Sequence, residues 1–158
     1  MRVEDLDVWK RSKALCVDIY RTLSDLMDYG FKSQVTRSAL SIPSNIAEGL
    51  ERESKAEFVR FLDIAKGSCG ELRTQIGIGI EIGYIEAAKG ETWIQETREL
   101  SAMLVGLMKS VRSKLVSGHK DISGQAPDTR KEFSGQAPDA GENTENWKLV
   151  PGNSPTGD

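Results

Sequence analysis

Apolar residues recur at three- and four-residue steps through four stretches of the chain, with polar residues between them, which is the period of an amphipathic helix. In the first stretch, about 5–28, Cys16, Ile19, Tyr20, Leu23, Leu26 and Met27 form one stripe, while Asp18, Arg21, Ser24 and Asp25 fall between them, and Gly30 is expected to end the helix. The second, about 32–49, sets Val35, Ala39, Ile42 and Ile46 against a polar face of Gln34, Ser38, Ser41, Asn45 and Glu48. Pro43 removes one backbone donor and favours a kink, and Gly49 is placed to stop the helix. The third opens with the capping-box spacing Ser54-Lys55-Ala56-Glu57 and continues its stripe through Phe58, Phe61, Leu62, Ala65, Cys69, Leu72 and Ile76.

Residues 76–85 conflict with that pattern. Ile76, Ile78, Ile80 and Ile82 alternate with Gly77, Gly79, Glu81 and Gly83, which is a strand period, and each glycine in a helix interior costs about 1 kcal/mol relative to alanine. A lone strand would have no pairing partner elsewhere in the chain, so the segment is expected to be the weak end of the third helix. The fourth helix is expected to open at Thr92-Trp93-Ile94-Gln95, another capping-box spacing, and to repeat Leu100, Leu104, Leu107, Val111 and Leu115 to about residue 117, where Gly118 closes it.

Four amphipathic helices and short connections make an all-α, antiparallel up-and-down four-helix bundle the simplest architecture for residues 1–120. Residues 121–158 hold four of the five prolines and few aliphatic side chains, too little apolar surface to offset the entropy of ordering. They read as a disordered, acidic Gly/Pro-rich tail containing a six-residue repeat, Ser123–Asp128 and Ser134–Asp139. Phe133 and the Trp147-Lys148-Leu149-Val150 cluster are either a docking motif or incidental.

Composition narrows the chemistry. One histidine, His119, serves the whole chain, whereas zinc sites, Ser-His triads and Glu-x-x-His metal bundles need more. No enzyme, metal or cofactor is expected. Gly77-Ile78-Gly79 lacks the spacing and the strand-to-helix turn of a dinucleotide loop, so these glycines are read as allowing close helix approach. Cys16 and Cys69 lie on predicted core faces without C-x-x-C spacing, as buried small hydrophobes. With neither a secretory leader nor a run of about 20 apolar residues, no membrane association and a cytoplasmic setting are expected. Residues 1–120 carry 18 basic and 17 acidic side chains, against 3 and 7 in 121–158, so the body is nearly neutral and the tail acidic.

Two groups of residues are candidate sites. Asn45, Glu48, Ser68 and Glu71 fall near the turn joining the second and third helices, where antiparallel packing would gather them into a polar network locking the hairpin, or into a contact for a ligand or RNA. Arg37, Arg52, Lys55 and Arg60 could form one basic patch at the same corner, able to seat a phosphate backbone; the alternative is a solvated face.

The stretch 37–49, RSALSIPSNIAEG, followed by Glu57-Phe58-Val59-Arg60-Phe61-Leu62 and Ile64-Ala65-Lys66-Gly67-Ser68-Cys69-Gly70-Glu71-Leu72, resembles the four-helix-bundle family named for proteins encoded in intervening sequences of bacterial 23S ribosomal RNA genes. Asp7-Val8-Trp9-Lys10 and Gly83-Tyr84-Ile85 are similar to it as well, and the likeness covers about 5–117. The resemblance implies a third helix that continues to Gly83, a ring-shaped homopentamer and no catalytic residues. Gene location implies an RNA-related role. A related branch, the accessory variability protein of diversity-generating retroelements, assists a reverse transcriptase, which implies as the alternative a protein scaffold or accessory subunit for a nucleic-acid-processing partner.

Overall fold

The computed structural model of the chain describes residues 2–120, with side chains through residue 113. A short 3-10 turn, Val3–Asp5, leads into four helices: α1 (Asp7–Thr22), α2 (Tyr29–Leu50), α3 (Lys55–Glu81) and α4 (Ala87–Lys120). There is no strand among the described residues. Each helix packs on its neighbours in chain order, and α1 closes the bundle against α4, the up-and-down arrangement that short connections favour. The expected tail, its repeat, Phe133 and Trp147–Val150 lie outside the described residues.

The core is the set of stripes read from the sequence. Ile19, Val35, Ile42, Ile46, Leu62, Leu72, Ile76, Leu100 and Leu104 are fully buried, and Trp93, Leu15, Leu23 and Phe58 join them. Cys16 and Cys69 are free thiols within this core. Burial removes the solvation of a thiolate, so it pushes the Cys16 thiol up and the Cys69 thiol up to about 11, with Ser101 and Arg73 opposing only part of the latter shift.

Several boundaries differ from the sequence reading. Helix α1 stops at Thr22, six residues earlier than expected, because Leu23 turns into the core and the Asp28 carboxylate accepts the Phe31 N–H at 2.9 Å, starting α2 at Tyr29. Gly30 therefore lies inside α2, and Met27 and Tyr20 are solvent-exposed instead of continuing the stripe. Helix α2 runs through Pro43 to Leu50. Gly49 is buried within it rather than ending it: a Cβ there would stand 2.6 Å from the Phe61 Cβ. On α3 the Ser54 hydroxyl caps the Glu57 N–H at 3.2 Å.

The Ile/Gly alternation is helical as far as Glu81. Gly83 then adopts φ +76°, and its N–H reaches the Ile80 carbonyl while the Tyr84 N–H reaches that of Gly79. This paired ending satisfies carbonyls that a helix terminus leaves open. Helix α4 begins five residues before Thr92, because the Glu86 carboxylate accepts the Ala88 and Lys89 N–H groups at 2.9 and 2.8 Å. Thr92 is in its second turn, and Gly118 lies within the helix rather than closing it.

Candidate functional site

Of the four residues expected to form a polar network at the α2–α3 hairpin, two are linked. The Asn45 amide donates to the Ser41 carbonyl at 2.8 Å and to the Ser41 hydroxyl at 3.0 Å, and the Ser41 and Ser68 hydroxyls lie 2.8 Å apart. Ser68 also donates to the Ile64 carbonyl at 3.1 Å. A hydroxyl has one proton, so the chain runs from Asn45 through Ser41 to Ser68 and ends on the α3 backbone. Ser41, which sequence reasoning placed on the polar face of α2 without assigning it a role, is the connecting member. Glu48 is exposed and pairs with Arg52 one turn along, and Glu71 is exposed on α3. Both carboxylates stand outside the network because their helical positions face solvent.

The expected basic patch is also divided. Arg37 lies 15 residues before Arg52, about 22 Å at helical rise, so it cannot share the corner. Arg52 is held by Glu48 and stacks over the Phe61 ring at 4.9 Å. Lys55 borders a cleft of about 240 Å³ lined by Leu50, Phe58 and Val111, and Arg60 is exposed on the next turn of α3. Glu48, Glu51, Glu53 and Glu57 are interleaved with these three cations, so the corner carries no excess of positive charge.

The strongest polar constructions were not legible as sites. Arg11 of α1 grips Glu96 of α4 through two parallel bonds of 2.8 and 2.6 Å and also binds Glu99. Hydrogen bonds to both carboxylates raise the Arg11 pKa, and Glu99 is held below its ordinary value by Arg11 and Gln95. One helical repeat further on, the Asp18 carboxylate accepts the Trp93 indole N–H at 2.8 Å and pairs with Lys89 at 2.6 Å. Burial pushes Asp18 up, but the hydrogen bonds from Lys89 and Trp93 and the charges of Lys89 and Arg21 outweigh it and hold the carboxyl below the usual range. Between α3 and α4, Arg73 donates to the Thr97 hydroxyl at 3.1 Å, to the Thr97 carbonyl at 3.2 Å and to the Ser101 hydroxyl at 3.3 Å. Each of these pairs is separated by 24 or more residues, and nothing in helical spacing identifies such partners.

What the folded body presents to solvent is apolar in two places. On α3 and the residue that ends it, Ile64, Ile78 and Ile82 are exposed, at 43, 49 and 51 % of their surface. With Gly67 and Glu71 they recur at steps of three, four and seven, and so share one outer face. A Cβ at Gly67 would have no neighbour within 4 Å, and the same holds at Gly70. On α1 and α2, Val17, Tyr20, Tyr29 and Leu40 are exposed.

Among the described residues no three or more His, Cys, Asp and Glu side chains are grouped to hold a metal ion, and no helix is long and apolar enough to cross a membrane. The fold and its surfaces thus define an antiparallel four-helix bundle whose polar clusters tie helices together and whose outer faces carry exposed aliphatic side chains. Residues 4–106 match the family model described as 23S rRNA-intervening sequence protein. The chain belongs to that family. It is similar in structure to a protein of unknown function from the S23 ribosomal protein family of Bacteroides thetaiotaomicron, at 26% identity and a TM-score of 0.61, over 65% of this chain and 98% of the other. No curated protein matches it.

Proposed function

We propose that this protein is a non-enzymatic subunit that assembles with copies of itself, into a pentamer by the family resemblance, and that the assembly associates with RNA. The observation that carries self-assembly is the outer face of α3. Three half-exposed isoleucines spaced over 18 residues, about 27 Å of helix, leave apolar surface in water that association would bury at roughly 25 cal/mol per Å². Gly67 deepens that face without serving any contact inside the subunit. Glycine in a helix interior is unfavourable by about 1 kcal/mol relative to alanine, and close approach of a second helix would supply the missing reason.

RNA association is supported by the family to which the chain belongs and by Lys13, Lys32 and Arg37 of α1 and α2, which have no ion-pair partner among the described residues. The other reading, a protein scaffold or an accessory subunit for a reverse transcriptase, shares the assembly and differs in what it carries.

Light scattering after size exclusion on the full chain, with and without nuclease, tests these statements together. Wild type is expected to run as a multimer with co-purifying RNA that high salt releases, and Ile78→Asp/Ile82→Asp as a monomer with unchanged helical circular dichroism. A monomeric wild type overturns self-assembly, and a multimeric double variant removes α3 as its face. A nuclease-insensitive multimer free of RNA favours the protein scaffold.

A further inference from the structure

We infer that the outer face shared by α1 and α2 is a binding surface for single-stranded nucleic acid; the inference rests on the RNA association proposed above and gives it a location. The surface is a pair of shallow clefts, one at the junction of the two helices and one along the outside of α1. One, about 560 Å³, is lined by Tyr20 of α1, by Ser24 of the chain leaving it and by Tyr29, Lys32 and Thr36 of α2. The other, about 480 Å³, runs along α1 past Trp9, Lys10, Lys13, Val17, Asp18 and Arg21. Tyr20 is 46 % exposed and Tyr29 65 %, and neither ring belongs to the core.

Each cleft pairs an aromatic ring with a cation. The Lys32 ammonium sits 4.9 Å from the centre of the Tyr29 ring, and the Lys13 ammonium 5.1 Å from that of Trp9. Lys32 is also fixed by donating to the Ser24 carbonyl at 3.0 Å, which ties the start of α2 to the chain leaving α1. Neither Lys13, Lys32 nor Arg37 has a carboxylate within ion-pair distance among the described residues. Helix α2 contains no acidic residue from Tyr29 to Ala47. Of the acidic groups of α1, Asp7 pairs with Lys10 at the far end, and Asp18, which borders the α1 cleft, is engaged by Lys89 and Trp93 of α4. Arg37, too distant for the α2–α3 corner, lies one turn from Leu40 on the solvent side of α2 and extends this charge.

Exposed rings beside unneutralised cations suit a strand whose bases are free to stack, because every base has a π-face and the phosphates meet the ammonium groups. A duplex hides its bases and is bound chiefly through many phosphate contacts, which a nearly neutral body with a few cations does not supply.

Fluorescence anisotropy on the full chain tests the site, using a labelled 20-residue oligouridine, an RNA duplex of equal length and a polyglutamate peptide, at low and moderate salt. Wild type is expected to bind the single strand more tightly than the duplex. Tyr20→Ala/Tyr29→Ala should weaken that binding by about 5- to 100-fold with little change in salt dependence. Lys13→Gln/Lys32→Gln should weaken it and flatten the salt dependence by about two charges. Tyr20, Tyr29 and Lys13 are exposed and Lys32 is half-buried, and circular dichroism confirms the fold of each variant. Single-strand binding that all these variants retain removes the α1–α2 surface while leaving RNA association standing. Failure of wild type to bind either RNA overturns both, and tighter binding of polyglutamate than of oligouridine assigns the surface to an acidic protein instead.

Discussion

Gly79 and Gly67 sit twelve residues apart on one helix and do opposite things. A Cβ at Gly79 would stand 2.6 Å from Ile85 Cδ1 and 2.8 Å from Phe31 Cζ, both packed side chains, whereas one at Gly67 would meet open space. Gly79→Ala is therefore expected to destabilise the protein by about 1–3 kcal/mol through overpacking. Gly67→Ala should stabilise the isolated subunit by roughly 0.5–1 kcal/mol through helix propensity. Urea unfolding of both variants in the Ile78→Asp/Ile82→Asp background, which separates helix stability from association, reads the two signs. In sequence the glycines of 67–83 look alike, and only the general reading that some allow close approach was available. Which ones do so depends on Phe31 and Ile85, brought in by other elements. Ser41 was obscured in the same way, since a serine on the polar face of a helix is indistinguishable from any solvated one until Ser68 is set beside it.

At the scale of elements, the helices and their buried stripes were legible because a 3.6-residue period is a local property. Their ends were less so. Asp28 and Glu86 cap α2 and α4 by accepting backbone N–H groups, whereas the reading relied on Gly30 and on the capping-box spacing at Thr92. A motif of the right spacing inside a helix has the same letters as one at its start. The α1–α4 clasp lies beyond any local pattern, yet it makes a clear pH prediction. Asp18 and Glu99 are both held below their ordinary values. Their stabilising contribution is thus full above the unfolded pKa values, about 4, and is lost as pH falls through the lower folded ones. Asp18→Asn keeps an acceptor for the Trp93 N–H but discards the charge. Denaturant midpoints of wild type and this variant should differ at pH 7 and converge as pH falls below the ordinary aspartate range and through the lowered pKa of folded Asp18, and a gap unchanged across that titration would remove the ionic part of the clasp.

For the whole molecule, the sequence led to the four-helix body and its family, while both candidate sites were relocated in part. The α2–α3 corner that looked basic as a list of Arg52, Lys55 and Arg60 is interleaved with glutamates on the folded surface. The aromatic and cationic face of α1 and α2 was hidden because its members were assigned to a core stripe, as Tyr20 was, or scattered over two helices. If the subunits assemble through α3, each copy contributes one such face, and several faces on one strand raise the effective concentration of each after the first has bound. An assembly-deficient variant would then lose affinity for long oligonucleotides far more than for short ones.

The attachment of α1 has a further consequence. It packs on α2 and reaches α4 through contacts spanning 71 to 92 residues of sequence, several of them polar and half-exposed, whereas α3 is packed between two helices that are both its sequence neighbours. Exposed ion pairs contribute about 1 kcal/mol or less, and contacts of long sequence separation reward the chain only after the intervening loop is closed. The first helix in the sequence is therefore the last to be secured and the first to let go: native-state amide exchange should find the backbone of α1 opening at lower free energy than the centre of α3, as a cooperative unit of its own.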